Sequence, residues 1–431
     1  MITPMNRAWH TIHSALCRLV RLALALTLLV TVVRSDAIPP SQYFDYRLGV
    51  VIAGYQFNLA AWELRALADK GKQILAYEVS SLSPPEQEAQ VRAFFTRIQH
   101  IQDMEGELQR VYSTTPRHQV VEKGQPLQAE LDTLTQQQAR EQGMVEAILE
   151  NQVGEVLAEE GFTVGPIVWP PVSFRLTQPP SFLIISPREE IARKAEAKLR
   201  PRLPLTERER LESTIGSTLD VSSLVDDLGG LSAFPTIVLF SPSILHTVDT
   251  IAHEWTHHYL FFTPLGWHYG DSGDLTTMNE TVASIVGEEV ARRLMLRHYP
   301  DLAPPPPAPL PEIAPSPPEE KAEFDFNRVM RQTRLEVDRL LAERKVEEAE
   351  AYMESKRQLL VEHGHYLRKL NQAYFAFHGA YATSPTSVDP IGPQMRKLRS
   401  ASPSLKAFLQ GVSQMRSYAD LQQVLRELGA D

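Results

Sequence analysis

The segment from Ser241 to Phe262 constrains this chain more than any other. Ile244, Val248, Ile251, Ala252, Trp255 and Tyr259 recur at three- and four-residue spacing, which predicts a helix over about 242–262 with an apolar face turned to a core. Ser241 can cap that helix, with Pro242 at its first position. The same segment carries His253, Glu254 and His257. Imidazoles and a carboxylate on a mostly buried helix need partners, because an unsatisfied buried polar group costs about 1–3 kcal/mol. Whatever fold forms must build a polar site around this helix.

His253-Glu254-Trp255-Thr256-His257 has the spacing for one kind of partner. Two histidines four residues apart lie on one helical face, one turn apart, and can bind a single Zn²⁺ through ring nitrogens. Glu254, beside them, is placed to take a proton from water and return it to a leaving amine. The only cysteine is Cys17, so the rest of the chain forms no internal disulfide and no thiolate metal site. Any metal must be held by histidines and carboxylates. A catalytic zinc takes three protein ligands and keeps one position open, so a third ligand is required. Glu280 is the first choice, with Glu288 and Glu289 as rivals two turns farther on.

Two patterns refine that choice. The extended metzincin signature requires glycine at 260 and histidine at 263, where this chain has Leu260 and Thr263, and that class is excluded. Asn279-Glu280-Thr281-Val282-Ala283-Ser284 instead resembles the Asn-Glu-x-x-Ala/Ser pattern of gluzincins, the thermolysin-like and aminopeptidase-like clan. The resemblance covers only short motifs. It implies Glu280 as third ligand, a zincin-like catalytic core with a small sheet and an edge strand, and peptide or protein substrates. One position departs from it: thermolysin has an aspartate four residues after the ligand glutamate, to orient a zinc histidine, and Ser284 stands there.

Further residues are candidates for the same site. Asp226 to Phe240 can supply the edge strand, with Gly229 and Gly230 allowing close backbone approach, or can equally be a turn and a core strand. Leu370 to Ala382 contains no Asp, Glu, Lys or Arg. Within it Asn371, Tyr374, His378 and Tyr381 fall on one helical face, where an amide, phenols and an imidazole can aim donors at an oxyanion. Tyr381, His378 and Tyr374 are therefore catalytic candidates beside Glu254, with plain core packing as the alternative. The Asn-x-Ala and later Tyr pattern is also similar to one in a group of bacterial aminopeptidases with His-Glu-x-x-His sites. Asp226 and Asp227 would serve an aminopeptidase as acceptors for the substrate amine.

The remaining features bound the setting. Arg7, Arg18 and Arg21 precede an apolar run from Leu22 to Val33, which as a helix spans about 18 Å against a hydrocarbon core of about 30 Å. Residues 1–37 read as a signal peptide or a retained membrane anchor. Either puts the rest of the chain outside the cytoplasm, secreted or membrane-anchored. A net charge of −10 opposes a nucleic-acid partner, since phosphate binding relies on lysine and arginine.

The chain then divides into a helical scaffold (38–160), the zincin-like region (161–300), a linker (301–320) and a C-terminal helical region that completes the cleft (321–431). The linker holds nine prolines from Pro304 to Pro318. Strands are expected at Val172–Thr177, Ser181–Ser186 and Thr236–Phe240, and a second helix over about 276–298. Glu319 to Tyr381 should be strongly helical, followed by a loop and one or two short helices. The expected class is α+β, mostly helical, with Zn²⁺ as cofactor and a metallopeptidase activity. A non-catalytic envelope scaffold with a structural or vestigial zinc site, or a zinc hydrolase of a non-peptide bond, are the alternatives.

Overall fold

The computed structural model of the chain describes residues 18–28, 39–76, 81–114, 117–305, 324–379 and 390–429. Most of the proline-rich linker and Tyr381 lie outside the described residues. So does most of the N-terminal segment, of which residues 18–28 are helical with Leu19, Leu22, Leu24, Leu26 and Leu28 exposed. Among the described residues no helix is long and apolar enough to cross a membrane. The architecture is mostly helical with small sheets, an α+β arrangement.

Beyond the helical residues 18–28, the described chain ahead of the sheets is built on α1 (Tyr43–Ile52), α2 (Leu59–Ala76), α3 (Pro84–Thr114) and α4 (Arg117–Glu159). Val91, Phe94, Phe95 and Ile98 of α3 pack with Val145, Ile148, Leu149 and Val153 of α4 in the main core, as their helical spacing requires. A buried ion cluster ties this scaffold to the sheets. Lys70 of α2 lies 3.1 Å from Glu146 and 2.8 Å from Glu150. Glu146 in turn accepts the backbone N–H of Leu176 at 2.9 Å.

After a short hairpin of β1 (Thr163–Val164) and β2 (Ile167–Val168), the chain forms two three-stranded sheets. In one, β4 (Ser181–Ser186) is the central strand between β5 (Ala195–Leu199) and β6 (Ser222–Asp227), antiparallel to both. Every residue of β4 is buried, which suits the continuous apolar run of a strand covered on both faces. Helix α5 (Leu205–Leu219) and α1 pack on this sheet around Leu183, Ile185, Leu211 and Ile215. In the other sheet, β3 (Phe174–Leu176) runs parallel to β8 (Thr236–Val238), and β7 (Gly230–Leu231) pairs antiparallel with β8. β8 is central, and β3 and β7 are the two edge strands.

Two helices follow that set the site: α6 (Ile244–Leu260) and, after the short α7 (Pro264–Trp267), α8 (Gly273–His298). They pack on each other more extensively than any other pair of described elements. A methyl group on Gly287 of α8 would meet Asp249 Oδ1 at 2.6 Å and the Asp249 carbonyl at 2.9 Å. Bare backbone at 287 is thus what lets the two helices close. The cap of α6 is Ser243, whose side chain accepts from the His246 N–H, and not Ser241; Ser241 Oγ instead accepts from the Ser243 N–H at 3.2 Å. α8 begins earlier than its apolar pattern suggested, because Ser272 caps it.

The C-terminal region is helical but more interrupted than expected. α9 (Phe326–Ala342) and α10 (Val346–Glu362) pair around Met330, Val337, Met353 and Leu360. Gly364, at φ 87°, ends this pair. The seven-residue α11 (Gln372–His378) then lies against β4 and β6. Three closing helices, α12 (Ile391–Ala401), α13 (Leu405–Ser413) and α14 (Tyr418–Glu427), stand where one or two were expected. Two serine caps, Ser404 and Ser417, divide that stretch.

Candidate metal centre

His253 and His257, one turn apart on α6, meet Glu280 of α8. Their Nε2 atoms are 3.2 Å apart, and Glu280 Oε2 lies 3.4 Å from the first and 3.6 Å from the second. A tetrahedral zinc with bonds of about 2.0–2.1 Å holds its ligand atoms about 3.3 Å apart. The three atoms therefore stand at ligand separations from one another. Glu280 Oε2 is buried and accepts no hydrogen bond, the condition of an oxygen kept for a cation. Two imidazoles and a carboxylate are a set zinc uses, with a fourth position left over. The residues fit such an ion.

Charge couples these groups to one another. Burial pushes the Glu280 carboxyl up, but the charges and hydrogen-bonding capacity of His257 and His253 outweigh it and hold Glu280 well below its ordinary range. For His257 burial pushes down, and Glu280 outweighs it, taking the imidazole to about 9. Each group stabilises the charged form of the other.

Neighbouring side chains fix the orientation of two of these three groups. Asn279 Nδ2 donates to the Leu265 carbonyl at 3.2 Å, so its Oδ1 is the atom facing His257 Nδ1 at 2.8 Å. His257 Nδ1–H must then be the donor, which in the neutral ring leaves a lone pair on Nε2, facing the site. Tyr269 donates to Glu280 Oε1 at 2.5 Å, leaving Oε2 for the site. Ser284 plays no part in this: its hydroxyl donates to the Glu280 carbonyl at 2.9 Å. The orienting group expected four residues after Glu280 is thus replaced, for His257, by the residue immediately before it. Tyr269 carried no sequence signal, since it sits in a turn-rich loop that periodicity does not read.

Glu254 lies between the His253–His257–Glu280 triangle and β7 and is 8% exposed. Burial pushes its carboxyl up, offset only in part by His253 and His257, and a raised carboxyl is a stronger base. A methyl group on Gly230 of β7 would sit 2.7 Å from Glu254 Oε1. Gly230 thus provides the close approach read from the sequence, whereas a methyl group on Gly229 would meet nothing within 4 Å. A cleft of about 350 Å³ opens here. It is lined by Gly230, Leu231 and Ser232 on one side, by His253, Glu254, His257, Tyr269 and Glu280 at its base, and by Phe182, Lys198 and Phe377 beyond.

The other candidates are placed elsewhere. Glu288 pairs with Arg396 at 3.0 Å and Glu289 with Arg399 at 2.6 Å, so both tie α8 to α12. Asn371 does not share the face of Tyr374 and His378. It caps α11, accepting the Tyr374 N–H at 2.9 Å and donating to the Ser223 carbonyl at 3.0 Å. Tyr374 lies against His378 with ring centres 4.2 Å apart and ring planes tilted by 39°, and burial followed by the Asp226 charge takes its phenol up to about 12. His378 Nε2 is 3.0 Å from Asp226 Oδ2. Neither Tyr374 nor His378 is among the residues lining the cleft; Phe377 of the same helix is. Asp227 is taken by Arg208 at 2.8 Å, so the Asp226-Asp227 pair is committed to α11 and α5.

No family model, curated protein or solved structure matches this chain.

Proposed function

We propose that the chain is a zinc-dependent metallopeptidase of gluzincin type, with a zincin-like core, acting outside the cytoplasm on peptide or protein substrates. The observation that carries this reading is the triangle of His253 Nε2, His257 Nε2 and Glu280 Oε2, with edges of 3.2, 3.4 and 3.6 Å, beside the buried carboxylate of Glu254. What a bound zinc would supply is Lewis acidity toward the substrate carbonyl and toward water.

The chain's own residues supply the rest. Asn279 and Tyr269 hold His257 and Glu280 in place, so little reorganisation is needed at the moment of reaction. The free edge of β7 can take an extended peptide by strand addition, its backbone hydrogen-bonded at Gly230 and Leu231 and its scissile carbonyl beside Glu254. Glu254 takes one proton from water as the hydroxyl adds to the carbonyl carbon. It passes that proton to the nitrogen as the C–N bond breaks, without a covalent intermediate. The extracytoplasmic setting rests on residues 1–37, read as a signal peptide or an anchor.

Metal analysis of the purified chain tests this. About one zinc per chain is expected for the wild type and almost none for Glu280→Gln or His257→Ala. A folded wild-type chain that takes up no zinc would remove the basis of the reading.

A further inference from the structure

Beyond the metal triangle the cleft is walled by β4, β5 and α11, and this wall carries charge. Glu196 and Lys198, two apart on β5, share one face of the strand and both line the cleft, as do Arg193, Phe182 and Phe377. Arg193 is committed within the fold. Its guanidinium donates to the carbonyls of Ala376 at 3.2 Å and Phe377 at 3.4 Å, lies 5.4 Å over the Phe377 ring, and sits 3.9 Å from Glu196. The charge of Glu196 is thus offset by its neighbour.

Lys198 is different. It is half-buried, with Nζ 5.9 Å over the ring of Phe182, and forms no ion pair with a carboxylate among the described residues. The acidic pair that a substrate amine would require, Asp226 and Asp227, is occupied by His378 and Arg208. The remaining acidic groups at the cleft are Glu254 and Glu280, both belonging to the metal site. A cleft whose one uncommitted charge among the described residues is an ammonium group, set over an aromatic face and against apolar side chains, is complementary to an anion.

We propose that Lys198 receives a carboxylate of the substrate, so that the site selects peptides with an acidic side chain or a free C-terminus within reach of the cleft. This rests on the peptidase reading and makes Lys198 a specificity-determining residue. It points away from an aminopeptidase, whose wall would need the opposite charge.

The test is peptide binding to the full zinc-loaded chain carrying Glu254→Gln, followed by calorimetry, with blocked alanine-rich hexapeptides as probes. One probe is neutral with an amidated C-terminus, one is amidated with a single glutamate scanned through its positions, and one has only alanine-like side chains and a free, charged C-terminus. Binding about tenfold tighter is expected for a carboxylate-bearing probe, the gain from one charge-assisted hydrogen bond. Which probe shows it distinguishes side chain from C-terminus. The gain should vanish with Lys198→Met, persist with Lys198→Arg and invert with Lys198→Glu. Equal binding of neutral and acidic probes, or a preference that survives Lys198→Met, overturns the inference alone. A zinc-loaded parent chain that binds no probe overturns the peptidase reading and this inference with it.

Discussion

Replacing Gly230 with alanine separates the proposed base from the proposed metal site. The new methyl would lie 2.7 Å from Glu254 Oε1 and 2.7 Å from Thr250 Cγ2, where ordinary contact begins near 3.4 Å. The glutamate end can swing away, but Thr250 cannot readily turn, because its Oγ1 donates to the His246 carbonyl at 2.9 Å. The edge strand must therefore retreat by roughly 0.7 Å or more, or Glu254 must leave its position, or both. Displacing a reacting group by about 1 Å costs about 10²-fold in rate, and overpacking of this kind costs about 1–3 kcal/mol of stability. We expect Gly230→Ala to lower kcat/KM on a test peptide by about 100-fold while zinc content stays at the wild-type value. Steady-state kinetics with metal analysis on the same sample reads both. Wild-type kcat/KM in a folded Gly230→Ala chain would refute the argument that this strand and Glu254 work together.

The supports and charges give further expectations. Asn279→Ala removes the acceptor for His257 Nδ1–H and should weaken zinc binding about 10–100-fold, read by competition with a chelator; unchanged affinity would show that the amide does not orient the ring. Because Glu280 raises the His257 imidazole above its ordinary value, zinc must compete with a proton there at neutral pH, so apparent zinc affinity should rise with pH above 7; a flat profile would contradict the coupling of His257 to Glu280. Glu212 is buried, but Arg368 at 2.7 Å and Lys369 at 2.6 Å outweigh the burial and hold its carboxyl below the ordinary value. A carboxyl lowered by folding stabilises the chain above its unfolded pKa of about 4.3 and loses that contribution as pH falls through the folded value. Glu212→Gln should therefore cost about 3–5 kcal/mol at pH 7 and flatten the acid side of a Tm-against-pH curve; an unchanged curve would contradict this.

That His253, His257 and Glu280 come together was legible because it is carried by local rules. Histidines four apart on an apolar helix face one way, and a second helix can return Glu280 to them after 23 residues. The strands at 174–176, 181–186 and 236–238 were legible for the same reason, each a short apolar or alternating run between turn residues. What was not legible depends on distant partners. Ala195-Glu-Ala-Lys-Leu199 has little strand propensity and is a strand because β4 pairs with it from Ser181 to Ile185. Asn371 shares the spacing of Tyr374 and His378 but becomes a cap, since the helix begins one residue later and the amide reaches Ser223 on β6. Asp226 and Asp227 look free in sequence and are claimed by His378 and Arg208 across 152 and 19 residues. The Tyr269 contact with Glu280 exists only once α7 turns the loop back over the site.

If Glu254 acts as the base of a peptide hydrolase, replacing its carboxylate with an amide must stop cleavage without removing zinc. Wild-type and Glu254→Gln chains, both zinc-loaded and matched in metal content, are incubated with a mixed peptide pool and the products read by mass spectrometry. The account predicts defined cleavages by the wild type and at least a hundredfold slower appearance of the same products with the variant. Equal cleavage by both, or none by a zinc-loaded wild type, would contradict it.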